Sequence, residues 1–264
     1  MTQTYEIYAI RHGVNDQRIR SQNFINDPNP TDLLTMDFYC WALKGENGWI
    51  IVDTGMDPEK GAAHDTELNP VDGWRALGII PEEVETVILT HAHYDHLGFI
   101  SALPNATFLM QAEEMSYVTG PLMQHQTFRH AYWPDEIATL IHLLHDGRLH
   151  LHGREHILSK GLSLHWVGGH SAGQEIVRVN TKRGWCVLTS DALHYYEELE
   201  KGIPFAIAHS LPDMLAAHQT IRGLAESDDH ILPAHDPRLR DLYPAINANF
   251  EGQVLRLDVA PARP

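Results

Sequence analysis

Thr90-His91-Ala92-His93-Tyr94-Asp95-His96-Leu97-Gly98 places three imidazoles and a carboxylate within six positions, directly after the apolar run Val87-Ile88-Leu89. Neutral imidazole binds borderline divalent metals at about 2.0–2.1 Å, and a carboxylate adds charge that offsets the ion. In an extended segment alternate side chains face one way, so His91 and His93 share a face, while Asp95 and His96 enter a turn and point elsewhere. One short loop can therefore serve two metal ions. The competing account is a histidine-rich surface loop in a chain with 19 His among 264 residues. Four ligand-type groups packed behind a strand argue against it.

A single loop cannot close two metal sites, so further ligands are expected at the ends of other strands. Three stretches qualify. Leu162-Ser163-Leu164-His165-Trp166-Val167 alternates like a strand and runs into Gly168-Gly169-His170, where glycines let the chain turn. Trp185-Cys186-Val187-Leu188-Thr189 is β-prone and ends at Ser190-Asp191-Ala192. His230-Ile231-Leu232 leads to Pro233-Ala234-His235.

The order HxHxDH, Gly-His, Asp and a final His, met by His91/His93/Asp95/His96, His170, Asp191 and His235, resembles the metallo-β-lactamase superfamily of binuclear metallohydrolases. The likeness runs over about 49–237, and Ile50-Ile51-Val52-Asp53-Thr54-Gly55 is similar to that superfamily's strand and turn before the metal loop. Within it the chain most resembles the N-acyl-homoserine lactonase, or quorum-quenching, branch and relatives acting on other small lactones. The resemblance implies an α/β fold, the αβ/βα four-layer sandwich, in one hydrolase domain over 1–264 with the metals at one edge between the sheets.

It further implies two divalent ions, with zinc as the default and iron, manganese or cobalt also compatible with the donors. His91, His93 and His170 would hold one ion, Asp95, His96 and His235 the other, and Asp191 would bridge them. Asp53 resembles a carboxylate that orders the loop and orients a ligand, alongside its reading as a turn former before Gly55. The implied reaction is opening of a small lactone by a metal-bridging hydroxide, with Asp95 or Asp191 accepting and returning the proton. Hydrolysis of another ester, a glutathione thioester, a cyclic amide or a β-lactam is the alternative. Two further readings are a di-iron redox protein, which would call for a flavin domain, and a non-catalytic metabolite binder.

Two departures from the lactonase pattern concern the pocket. A tyrosine common three residues after the bridging Asp is replaced by His194, an imidazole able to donate a hydrogen bond or shuttle a proton. Tyr195 would take that place if the turn shifted by one, and an exposed helix-start histidine is the plainer reading. Gly98-Phe99 stands where a glycine pair is common, and a Phe there reads as core packing rather than pocket floor.

Composition bounds the rest. A chain of 264 residues with 43% hydrophobic content can bury one substantial core. Cys40 and Cys186 lie in apolar surroundings and form no disulfide framework, which suits a reducing compartment. With no basic and apolar leader at the N-terminus and no long apolar run, a cytoplasmic protein without a membrane segment is expected. A formal charge of −16 disfavours nucleic acid, whose binding depends on Lys and Arg at phosphates. A small-molecule substrate is expected. Oligomeric state has no sequence signal beyond Tyr132-Trp133, which reads as core rather than interface.

Patterning predicts strands over 5–10, 37–44, 49–53, 107–111, 162–167, 175–180, 185–189 and 230–232, with Gly45-Glu46-Asn47-Gly48 as a hairpin turn. Helices are expected over 71–77, 112–118, 134–145 and from Ser210 to Leu224. Ile137, Leu140, Ile141 and Leu144 would form the apolar side of the third helix. The irregular segment 15–35 and the region 121–156 are the expected pocket walls. The scattered histidines of the latter read as solvated or hydrogen-bonded rather than ligating.

Overall fold

Val87, Ile88 and Leu89 alternate across a strand, and the two faces they serve define the architecture. Ile88 packs between two sheets, whereas Val87 and Leu89 pack on the opposite face under helices. The computed structural model describes residues 3–59 and 68–262. Six strands enter the first sheet in turn: β1 (Glu6–Asn15), β2 (Met36–Gly45), β3 (Gly48–Val52), β4 (Thr86–Leu89), β5 (Thr107–Gln111) and β6 (Leu149–His152). The second sheet takes β7 (Glu155–Ser159), β8 (Leu162–Trp166), β9 (Glu175–Thr181), β10 (Gly184–Leu188) and β11 (Ile231–Leu232). A last strand, β12 (Val254–Arg256), returns to the first sheet beside β1.

The sheet orders are β12-β1-β2-β3-β4-β5-β6 and β11-β10-β9-β8-β7. β1, β2 and β3 pair antiparallel, with Gly45 opposite Gly48 closing the expected hairpin. From β3 to β6 the pairing is parallel, through Ile51↔Val87, Val87↔Phe108 and Phe108↔Leu149. Between the sheets, Ile7, Trp41, Val52 and Leu109 meet Leu164, Val177, Val179 and Leu188. Outside the first sheet, Ile10, Ile51, Phe108 and Met110 pack with Trp74, Leu140 and Leu143 of covering helices. Outside the second, Ile176, Val187 and Ile231 pack with Ala217 and Ile221 of the helix Leu211–Leu224. Helix, sheet, sheet and helix thus form four layers, as the resemblance implies.

The structure revises several expected elements. β1 continues to Asn15, past the expected end at 10, because β2 pairs with it along its length through a bulge between Arg11 and Gly13. Segment 15–35 is ordered by the helix Arg20–Asn23, the Ile19↔Leu33 bridge and the Arg20 N–H donating to Asp32 O at 2.8 Å. Region 121–156 contains the expected helix Pro134–His145, but also the helix Gln126–Arg129, the strand β6 and the start of β7. On Pro134–His145 the buried apolar positions are Leu140 and Leu143, while Ile141 is 38% exposed. Phe99 packs against the outer core, as expected of a Phe.

Candidate metal centre

Every candidate ligand follows the carboxyl end of a strand. β3 leads to Asp53, β4 to His91, His93, Asp95 and His96, β8 to His170, β10 to Asp191 and β11 to His235. Such ends, where chains diverge and leave a crevice, are where ligands bind in α/β sheets. His91 and His93 precede the short helix Tyr94–Leu97, which carries Asp95 and His96. The turn to His170 needs glycine: Gly169 has φ +89°, and a Cβ there would lie 2.6 Å from the Met214 backbone.

The fold gathers all seven predicted residues into two buried groups. His91, His93, His170 and Asp191 form one, Asp95, His96, Asp191 and His235 the other, with the donor atoms of each within 4.8 Å of one another. Asp191 belongs to both through different oxygens. Its Oδ2 lies 3.2 Å from His170 Nε2 and 3.8 Å from His91 Nε2. Its Oδ1 lies 3.3 Å from His96 Nε2 and 3.1 Å from His235 Nε2. Asp95 Oδ2 is 3.6 Å from His96 Nε2 and 3.8 Å from His235 Nε2.

The far side of the rings is anchored, which aims the remaining nitrogens inward. His170 Nδ1–H donates to Ile207 O at 2.9 Å and His235 Nδ1–H to Asp37 O at 2.7 Å. His96 Nδ1 is 2.8 Å from Asp53 Oδ2. Asp53 also accepts from Thr90 N–H and Thr90 Oγ1–H, each at 2.8 Å, at a left-handed φ of +58°. It is therefore both turn former and loop support, and its strained backbone lies where function concentrates strain. Ser190, at φ +44°, hydrogen-bonds Thr90 Oγ1 at 2.6 Å and so joins the Asp191 turn to the histidine loop.

Glu114, which the sequence reading did not single out, ties the same loops from beneath. Fully buried, it accepts from Ala92 N–H at 3.0 Å and Gly173 N–H at 2.9 Å, and the Tyr132 hydroxyl lies 3.5 Å away. Its signal was a carboxylate among the buried Met115, Tyr117 and Val118 of the helix Ala112–Val118.

His194 is buried in the site rather than exposed at a helix start. Its Nε2 lies 3.2 Å from Asp191 Oδ2, and its ring stacks on Phe205 with centroids 3.5 Å apart and planes at 9°. Glu198 Oε1 accepts from the His194 and Tyr195 N–H groups at 2.7 and 2.9 Å, which fixes the turn. Tyr195 points away: its hydroxyl donates to Thr35 O at 3.3 Å and its ring meets Phe24. His194, not Tyr195, faces the candidate ligands.

A cavity of about 50 Å³ opens on these groups between Arg18, Met36, Phe38, Tyr94, Phe205 and Ile207. A separate cavity of about 120 Å³ lies on the other side of His93 and His170, lined by Tyr117, Phe128, Tyr132, Ile207 and His209. The expected segments 15–35 and 121–156 do supply walls, through Arg18 and through Phe128 and Tyr132. The wall formed by Phe205, Ile207 and His209 had no sequence signal. Tyr132 packs its ring 4.5 Å from His93, consistent with the core reading.

Charge in the site favours a cation. Burial pushes His91, His93 and His194 well below the usual imidazole range, toward the neutral form that ligates metals. Burial also lowers His96 and His235, but Asp191 with Asp95 overcomes it and raises both. Burial would raise Asp191, yet His235, His194 and His96 hold it well below the carboxylate range. Carboxylates that draw protons onto His96 and His235 would equally draw a divalent ion. The buried His91 Nε2 and His96 Nε2 have no hydrogen-bond partner, so the donor set fits metal ions better than a closed polar network.

Comparison with known proteins identifies the family and the fold. A family model described as the metallo-beta-lactamase superfamily matches residues 39–241. An N-acyl homoserine lactonase of Bacillus cereus is 28% identical over 197 residues, 67% of this chain and 72% of the relative. The N-acyl homoserine lactonase AttM of Agrobacterium fabrum is 28% identical over 188 residues, 66% of each chain. The crystal structure of a quorum-quenching N-acyl homoserine lactone lactonase superposes with a TM-score of 0.72 at 26% identity, over 89% of this chain and 93% of that one. Because the family match spans well over half of the chain and the two-sheet fold agrees with it, the chain belongs to the metallo-β-lactamase superfamily.

Proposed function

We propose that this protein is a metal-dependent hydrolase that opens small lactones, N-acyl-homoserine lactones being one candidate class. His91, His93 and His170 would hold one divalent ion and Asp95, His96 and His235 the other, with Asp191 shared between the two groups. Zinc, iron, manganese and cobalt all suit these donors, with zinc the default. One observation carries the reading: the two oxygens of Asp191 face separate histidine groups, Oδ2 toward His170 and Oδ1 toward His235. Similarity to proteins named N-acyl homoserine lactonases supports it.

Bound divalent ions supply an activated water near neutral pH and polarise a carbonyl. The chain's own residues do the rest. Asp95, which lines the cavity, takes the proton from the attacking water and delivers it to the ring oxygen as the acyl–oxygen bond breaks. The neutral His194 imidazole, fixed by Phe205 and Glu198, donates a hydrogen bond to a substrate oxygen. Apolar walls from Met36, Phe38 and Phe205 exclude water around the reacting ester. Water adds to the carbonyl carbon, the ring opens to a hydroxy acid, and one proton is released at neutral pH.

The core shared by both sheets supports one hydrolase domain. The buried, unpaired Cys40 and Cys186 support a cytoplasmic setting, and among the described residues no helix is long and apolar enough to cross a membrane. The test is hydrolysis by metal-loaded protein of acyl-homoserine lactones, γ- and δ-lactones, a β-lactam and a glutathione thioester, with Asp191→Asn alongside. Lactone opening that falls at least ~100-fold in the variant is expected. Turnover of the thioester or lactam without any lactone would contradict the assignment.

A further inference from the structure

Arg18 and Arg20, two residues apart, are held in opposite ways. Arg20 is saturated by carboxylates: Nε and Nη2 donate to Asp27 at 3.0 and 2.7 Å, and Nη1 and Nη2 both reach Glu197. Arg18 has only neutral partners. Its Nε donates to Asn23 Oδ1 at 2.6 Å and its Nη2 to Gln22 O at 2.9 Å. Among the described residues Arg18 has no ion pair, in a chain with 35 acidic residues against 19 basic ones. Carboxylates are not scarce, so an uncompensated guanidinium marks a place where the fold leaves one to arrive.

The place is the reaction cavity. Among the described Arg and Lys residues, Arg18 alone lines either cavity. Its guanidinium lies 5.9 Å from the Phe205 ring centroid, the same ring that stacks on His194. Asn23, which fixes it, is fully buried, and Asn23 O accepts from Ala206 N–H at 2.8 Å. The cation is thus preoriented on the wall that carries Phe205 and Ile207, with little ordering left for binding. Both cavities, about 50 and 120 Å³, fall well below the roughly 300–1,000 Å³ of sites for drug-sized ligands, which favours a compact substituent.

We infer that Arg18 is the anion-binding group of the substrate pocket, and that the preferred substrate is a compact lactone bearing a carboxylate, in place of a long neutral acyl chain. The inference rests on the lactonase reading and specifies its substrate class. A guanidinium fork matches a carboxylate's two oxygens, and charge-assisted hydrogen bonds of this kind are the strong ones. A single cation suits a single carboxylate, whereas the −16 charge of the chain works against polyanions.

The experiment measures kcat/KM for γ-carboxymethyl-γ-butyrolactone and its methyl ester with wild type, Arg18→Met and Arg18→Lys, after checking that each variant melts cooperatively. Wild type should prefer the carboxylate at least ~10-fold. In Arg18→Met that preference should fall by about 10- to 100-fold, chiefly through KM, and Arg18→Lys should lie between. An equal carboxylate-to-ester ratio in wild type and Arg18→Met, with the ester opened, would overturn the inference and leave the lactonase reading standing. If wild type opens neither compound but does open another lactone, the substrate class inferred here is overturned and the lactonase reading stands; if it opens no lactone at all, the lactonase reading falls, and calorimetric binding of the ring-opened 3-hydroxyadipate decides for Arg18. Weaker binding in Arg18→Met upholds the anion site, and equal binding refutes it.

Discussion

Glu114 offers the sharpest test of how the ligand loops are held, because its carboxylate joins two of them without touching a candidate ligand atom. In Glu114→Ala the Ala92 and Gly173 N–H groups, now 3.0 and 2.9 Å from its oxygens, lose their acceptor inside the protein. An unsatisfied buried donor costs about 1–3 kcal/mol, so two give a destabilisation of about 4 kcal/mol. At about 2–4 °C per kcal/mol for a chain of this size, the melting temperature should fall by about 8–16 °C. Glu114→Gln keeps one acceptor oxygen and turns an amide NH₂ toward the other donor, so about half of that loss is expected. Urea unfolding of metal-free protein is the assay, because bound ions would add their own stabilisation. Metal-free Glu114→Ala within about 1 kcal/mol of wild type would refute the argument, since it would mean that the two donors find other partners at no cost.

Replacing His194 by Phe preserves an aromatic ring over Phe205 but removes the Nε2 that lies 3.2 Å from Asp191. Lactone kcat should fall about 100-fold with metal content retained, and steady-state kinetics with metal analysis checks both. Glu175 is raised by burial to about 7, with His152, 3.3 Å away, opposing the shift. A raised carboxyl favours folding below its unfolded value of 4.5, and that contribution is lost as pH climbs from 4.5 through about 7. Wild type should therefore lose about 2 kcal/mol relative to Glu175→Gln between pH 5 and 8, read from urea titrations at each pH. Gly98→Ala would set a Cβ 2.1 Å from the Asp57 backbone nitrogen, at the loop behind His96. Overpacking against backbone should cost about 3 kcal/mol in the same assay.

What could be read from the chain was what lies close together in it. The HxHxDH loop declares itself because four ligands share six positions, and His170, Asp191 and His235 follow because each ends a short hydrophobic strand. Strand alternation fixes the layers for the same local reason: Ile88 inward, Val87 and Leu89 outward. Groups defined by tertiary approach were hidden. Glu114 is an ordinary helix residue until Ala92 and Gly173 reach it from loops 22 and 59 positions away. Phe205 becomes a pocket wall only when His194 stacks on it. β6 and β7 escaped notice because they are only four and five residues long and carry histidines among their apolar residues, and β12 because three residues carry almost no periodicity. The turn at Asp191 could place either His194 or Tyr195 in the site, and Glu198, which accepts both N–H groups, selects His194.

Two ions sharing Asp191 are what the proposed chemistry depends on, and metal stoichiometry is the measurement that decides whether the protein holds them. Metal-free protein dialysed against zinc and quantified by plasma emission should bind two ions per chain. His170→Ala and His235→Ala should each weaken one ion, and Asp191→Asn should weaken both. A stoichiometry of one, or two ions held as tightly by Asp191→Asn as by wild type, would contradict the account.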